Sequence, residues 1–235
     1  MLTYQQPAFV LHARAYRETS LLLECLTRDQ GRLGVVARGV RGTRARIHRS
    51  DLEPFQQLAL DLSQRGELAT LRAVDPDGPT WRLRGPALLS GLYLNELLVR
   101  LCARQDPHPE VFAAYATTLE RLHRDPDPAW ALRRFERDLL QALGYALLLR
   151  ETGEGEAVVQ GRWYRYQADH GPQACGADTR QAVLGEDLLD LAEDRCPGTD
   201  ALRRLRGMMR EVLRYHLGGG ELRAWRMLQP GPGAR

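Results

Sequence analysis

The chain has 235 residues, of which 43% are hydrophobic and 27% charged, and its formal net charge is only +3. That is ordinary globular composition, long enough to bury a sizeable core as one large domain or two small ones. Whole-chain charge is too small to point to a partner, so the distribution of charge has to do so. No stretch approaches the ~20 apolar residues that a membrane span needs. The opening "MLTYQQPAFVLHAR" has no basic region followed by a long apolar run, so no signal peptide is expected. The four cysteines, Cys25, Cys102, Cys175 and Cys196, are scattered. Cys25 and Cys102 stand in apolar surroundings, the pattern of reduced thiols in a cytosolic protein. All 33 basic residues are arginines, which codon bias in a GC-rich genome explains. Arginine nevertheless brings a planar fork suited to phosphate and to stacking on bases.

Residues 7 to 76 read as β. "PAFVLHARAY", "TSLLLECLT", "LGVVARGV", "EPFQQLALDLS" and "LATLRAVD" are short apolar or alternating runs joined by turns such as "RDQGR" and "QRGE". Five such runs at this spacing predict a compact barrel or sandwich, and the count fits an OB-fold barrel. Between the third and fourth runs lies "ARGVRGTRARIHRSD", which carries Arg38, Arg41, Arg44, Arg46 and Arg49 with no acidic residue from Gln30 to Ser50. Pro76, Gly78, Pro79, Gly85 and Pro86 then punctuate the chain, and the domain boundary is expected there: 1–79 for the barrel and 80–228 for a helical domain.

The second part is helical. Leu89, Tyr93, Leu97 and Leu101 recur at four-residue spacing after Pro86. Val111, Phe112, Tyr115, Leu119 and Leu122 form the stripe of the next helix, which Pro109 opens. A third helix runs through "DPAWALRRFERDLLQALGY", with Asp127 as its expected N-cap and Gly144 as its stop. Residues 150–184 are polar and glycine-rich around "WYRYQ" and read as an inserted loop with a short hairpin. "GEDLLDLAED" is a short helix, and the last long helix runs from a Thr199 cap to the glycines at 218–220. The tail at 229–235 is expected to be disordered. The predicted class is therefore α+β multidomain.

The basic loop reads either as a solvated turn or as a phosphate-contacting loop beside an oligonucleotide groove. In the second reading Arg14, Arg17, Arg28 and Arg32, close by in sequence, extend its positive face. Tyr4, Phe9, Tyr16 and Phe55 are few as stacking candidates and each suits a core, which favours binding led by the phosphate backbone. Arg203, Arg206, Arg210 and Arg214, spaced three, four and four apart, share one face of the last helix. That face is either solvated or a second phosphate surface. Arg133 and Arg134, beside Phe135 and with Arg137 one turn on, are either helix surface or a clamp for an acidic or carboxylate-ending peptide. Cys175 and Cys196 form no C-x-x-C pair, and His170 does not complete a metal set. No Walker A loop, G-x-S-x-G, H-E-x-x-H or dinucleotide fingerprint is present, and Glu18 and Asp29 form no acid/base couple. An enzymatic reading has no residues to carry it.

Four blocks in order, "AFVLHARAYRETSLLLECLTRDQGRLGVVARGVRG", "SGLYLNELLVRL", "ALRRFERDLLQALGY" and "YHLGGGELRAWRM", resemble the bacterial recombination and repair protein RecO family. The likeness runs from Phe9 to about Met227. It implies an N-terminal OB-fold, an α-helical domain and a recombination mediator without enzymatic activity or cofactor. It implies binding of single- and double-stranded DNA, annealing of complementary strands, and recognition of the acidic C-terminal tail of the single-stranded DNA-binding protein SSB. It implies action with RecR, and in some lineages RecF, to load RecA, in the cytoplasm at the nucleoid. Some members hold zinc with four cysteines; only Cys175 and Cys196 remain here, so the likeness implies a zinc-less form. Carried onto this sequence, the SSB-tail contacts fall on Arg133 or Arg134, with Arg180 as a second basic contact. The DNA-binding residues expected are Arg14, Arg17, Arg32, Arg38, Arg41, Arg44, Arg46, Arg49, Arg203, Arg206 and Arg210. A generic OB-fold RNA-binding protein and a protein-interaction adaptor are the competing expectations.

Overall fold

The computed structural model describes residues 2–40, 46–64, 66–125 and 127–227. Strands β1 (Leu2–Tyr16), β2 (Ser20–Thr27), β3 (Gly31–Ala37), β4 (Gln56–Gln64) and β5 (Leu68–Thr80) close into a barrel of order β1-β2-β3-β5-β4. Every contact in it is antiparallel except the parallel β3–β5 pairing, Gly34↔Leu68 to Val36↔Thr70. Strand alternation builds the core: Ala8 and Val10 of β1, Leu21, Leu23 and Cys25 of β2, Leu33 and Val35 of β3, Leu58, Leu60 and Leu62 of β4, and Ala69 and Leu71 of β5 point inward. A 3₁₀ turn at Arg49–Leu52 adds Leu52 to that core.

The opposite side of β1 is also dry at its centre. Phe9 is fully buried and Leu11 nearly so, although neither belongs to the barrel interior. Helices α1 (Gly85–Leu101) and α2 (Pro109–Arg124) cover them. The Phe9 ring lies 4.8 Å from Phe112, 5.0 Å from Tyr115 and 6.1 Å from Trp81. Buried Asn95 on α1 donates to the Leu11 carbonyl at 2.9 Å and accepts from the Tyr115 hydroxyl at 2.5 Å. The β2–β3 turn is tied down as well. Gly31 has φ +65, and a Cβ there would fall 2.0 Å from the Asp106 carbonyl oxygen. Burial pushes the Cys102 thiol up to about 11 and raises Cys25 further, so both are inert thiols rather than nucleophiles.

The chain divides into two compact units differently from the punctuation at 76–86. Described residues up to Asp125 join those from Leu222 onward in one unit; Asp127–Glu221 form the other. The Pro/Gly run marks a change of secondary structure, whereas the dry outer face of β1 recruits α1 and α2. A short helix, α6 (Arg223–Met227), unexpected from the sequence, returns to α1, where both Glu96 carboxylate oxygens accept at 2.9 Å from the Arg223 and Ala224 amides.

The second unit holds α3 (Ala129–Ala142), a small antiparallel sheet of β6 (Trp163–Gln167), β7 (Gly171–Ala174) and β8 (Val183–Leu184), then α4 (Gly185–Ala192) and α5 (Thr199–His216). The hairpin predicted around "WYRYQ" is β6–β7, with β8 added on its other edge. Tyr164 and Val183 are fully buried, so the sheet contributes to the core of this unit. The Asp127 carboxylate accepts from the Ala129 amide at the start of α3, Gly144 ends it with φ +83, and Gly198 rather than Thr199 sits at the N-cap of α5. At α4, buried Asp187 accepts from the Leu184 amide and takes a two-point contact from Arg204 at 2.6 and 2.8 Å. The expected tail at 229–235 lies outside the described residues.

Replacing Asn95 with Ala removes the donor to the Leu11 carbonyl and the acceptor of the Tyr115 hydroxyl in a dry layer. The expected cost is about 3 kcal/mol in urea unfolding, with the m-value unchanged.

Candidate nucleic-acid interface

A groove of about 750 Å³ lies on the outer face of the barrel between the β1–β2 turn and the start of β5. Strand alternation builds it. With Val35, Ala37, Ala69 and Leu71 facing the core, Val36 and Arg38 at the end of β3, and Thr70 and Arg72 on β5, face out. The β1–β2 turn adds Arg17, in the left-handed region at φ 54, and its guanidinium lies 5.2 Å from the Tyr16 ring centroid. Thr19, Ser20, Ser63 and Thr70 supply hydroxyls, and Arg72 donates to Ser63 at 2.8 Å. Among the described residues, three arginines and five hydroxyl-bearing residues, Tyr16 included, line this groove and no carboxylate does. Such a lining is chemically an anion site, and its place between the first and last hairpin loops is where OB barrels take oligonucleotides.

The expected DNA-binding residues separate into classes. Arg17 and Arg38 meet in the groove, and Arg72, not anticipated, joins them. Arg14, Arg46 and Arg49 are exposed elsewhere on the same unit. Arg41 and Arg44 lie outside the described residues. Arg32 is a structural strap: it donates at 2.9 Å to the Cys102 carbonyl and pairs with Glu24 at 2.5 Å, its side chain 14% exposed. Of the stacking candidates, Tyr16 lines the groove; Phe9 and Phe55 are buried, and Tyr4 is half-buried with its hydroxyl on Gln64. On α5 of the other unit, Arg203 and Arg206 are exposed, Arg203 paired to Asp200 at 2.7 Å, while half-buried Arg210 and Arg214 stand 3.9 and 3.5 Å from Glu221.

The acidic-peptide clamp is rearranged in the same way. Arg133 is buried and ion-paired with fully buried Glu136 one turn along α3, so it is not the exposed contact expected. Arg134 and Arg137 instead converge on Asp194, just past the end of α4. Arg134 donates to one carboxylate oxygen at 2.5 Å and Arg137 to the other at 2.7 Å, with Arg137 also on the Leu191 carbonyl at 2.5 Å. Partial burial pushes the Asp194 carboxyl up, but the two arginines win and hold it below the usual aspartate value. Beside this fork opens a second groove, about 730 Å³, walled by Arg137, Arg150, Leu147 and Leu148 together with the carboxylate residues Glu151, Glu193 and Asp194. Arg180 is exposed in the turn before β8 and does not line it.

Among the described residues no group of three or more His, Cys, Asp or Glu is placed to hold a metal ion. None of their helices is long and apolar enough to cross a membrane.

Comparison with known proteins agrees on one family. The family model described as "Recombination protein O N terminal" matches residues 1–78, and "Recombination protein O C terminal" matches 82–226. The chain is 44% identical over 234 residues to the DNA repair protein RecO of Xanthomonas euvesicatoria pv. vesicatoria (strain 85-10), covering 97% of this chain and 98% of that protein. It is 43% identical over 233 residues to the DNA repair protein RecO of Stenotrophomonas maltophilia (strain K279a), with the same coverage.

Sorting the arginines by partner gives a direct check. Arg133→Ala takes the cation from a buried carboxylate and should cost about 3 kcal/mol, whereas Arg180→Ala should stay within about 0.5 kcal/mol. Arg32→Ala should lower the melting temperature while leaving affinity for an oligonucleotide nearly unchanged.

Proposed function

The chain belongs to the RecO family, and we propose that it is a non-enzymatic recombination mediator that binds single- and double-stranded DNA and anneals complementary strands. The observation that carries this reading is the barrel groove, whose described lining brings Arg17, Arg38 and Arg72 together with hydroxyl side chains and includes no carboxylate residue. Phosphates of one strand lie against the guanidiniums, releasing counterions. Contacts to phosphate carry no sequence information, so the bound strand keeps its base edges for a complement. Screening of phosphate repulsion lets pairing choose the partner, and no covalent step is required. Arg46 and Arg49, exposed on the same unit, extend the positive surface, with Arg41 and Arg44 between Arg38 and Arg46 in the sequence.

In the second unit the α3 arginines receive the acidic tail of SSB, which brings the mediator to coated DNA. Arg134 retains the role carried over from the family and Arg137 takes the place expected of Arg133, because both reach one carboxylate at a groove with leucine walls. Together with RecR, and RecF where present, the protein then assists RecA loading, acting in the cytoplasm at the nucleoid.

The triple variant Arg17→Ala, Arg38→Ala, Arg72→Ala should bind a single-stranded oligonucleotide roughly 10- to 100-fold more weakly at low salt, and the slope of log affinity against log salt should fall by about 2. Unchanged affinity and slope would remove the groove from the mechanism. Annealing of strands coated with SSB, compared with tail-less SSB, tests the dock: loss of the tail, or Arg134→Ala with Arg137→Ala, should slow it several-fold. Preference for RNA over DNA in competition would instead favour a generic RNA-binding role.

A further inference from the structure

Asp194 is an unexpected residue where it stands. Its φ is +58, in the left-handed region that glycine adopts freely and that asparagine and aspartate tolerate best among the other residues. It follows the C-terminus of α4, the negative end of a helix dipole, next to Glu193. The helix dipole therefore opposes a carboxylate here, and what holds it is the pair Arg134 and Arg137. Each guanidinium takes a separate carboxylate oxygen, at 2.5 and 2.7 Å, the arrangement in which arginines receive the carboxylate of a ligand. The fork adjoins the groove beside Leu147 and Leu148, and Leu148 keeps 37% of its surface exposed.

We infer that Asp194 is a built-in competitor: it fills the Arg134–Arg137 fork as a stand-in for the carboxylates of an acidic peptide terminus and must swing out for that peptide to bind. The inference rests on the acidic-tail reading above and adds what sets its selectivity. A peptide with a single carboxylate merely exchanges one ion pair for another, and the intramolecular one has the advantage of effective concentration. A peptide bearing several carboxylates wins, because it gives each arginine a whole carboxylate where Asp194 divides one between them, while its apolar terminal side chain covers the exposed part of Leu148. Asp194 thus converts a general carboxylate fork into one that answers to clustered negative charge.

The test uses the full-length protein and a fluorescein-labelled triaspartate peptide ending in phenylalanine, followed by anisotropy. Asp194→Asn and Asp194→Gly both suit the left-handed backbone, so folding is kept and melting temperature verifies it. Both should bind the peptide roughly tenfold more tightly than the native chain, and a single-aspartate analogue, weak on the native chain, should gain at least as much. Arg134→Ala with Arg137→Ala should abolish binding in either background. Equal affinity of the native chain and the Asp194 variants, with loss in the arginine variant, would overturn the competitor while leaving the dock. Weaker binding on removal of Asp194 would overturn it too, since the carboxylate would then be organising the fork for the ligand. No binding by any variant would remove the dock and the competitor together.

Discussion

From Ala8 to Leu11 strand β1 is dry on both faces, and most of the first unit depends on that. Ala8 and Val10 belong to the barrel interior, while Phe9 on the other side needs its own cover. A half-solvated strand leaves its outer face to water; here that face meets Phe112, Tyr115 and Trp81 instead. The backbone polar groups caught in this second layer need partners, which is why an asparagine sits at the centre of an otherwise apolar helix face. With the helices committed to β1, the parallel seam of β3 and β5 is left able to present charge to solvent.

Because every cation in this chain is arginine, the side chain's identity says nothing about its role; the neighbouring oxygen does. Arg32, Arg133 and Arg204 are fastened to carboxylates that are themselves half-buried or buried, and they hold elements together. Arg17 and Arg38 stand in a groove without an acid, and Arg72 faces a hydroxyl there. Arg134 and Arg137 are intermediate, their carboxylate held against the dipole of the helix that it follows.

Periodicity carried most of the fold. The period-two runs gave the five barrel strands, and the four-residue stripes gave α1, α2, α3 and α5, because burial on one face leaves that imprint directly in the order of residues. The contact that groups α1 and α2 with the barrel did not show, since Phe9 looks like any strand residue until its outer face is known to be covered. Strand β8 is two residues long and α6 five, too short for any period to register. Of the arginines that line the candidate groove, Arg38 and Arg17 stand out by charge density and by the turn, and Arg72 was open to the same alternation that placed Leu71 inward. Arg133 had its partner Glu136 one turn away in the sequence, a readable i,i+3 pair. Asp194 is 60 residues from Arg134, and nothing local announces the pair.

The return of Leu222 and α6 to the first unit makes the second unit an insertion in the chain of the first. A ribosome therefore releases the parts in an order that differs from the order of completion. The barrel, α1 and α2 emerge first and wait, with Glu96 lacking the amides that it caps, while the whole of 127–221 is made and closes on its own core. Only the last residues described then finish the unit that began first. Two chain crossings instead of one join the units, so cutting either leaves them tethered through the other.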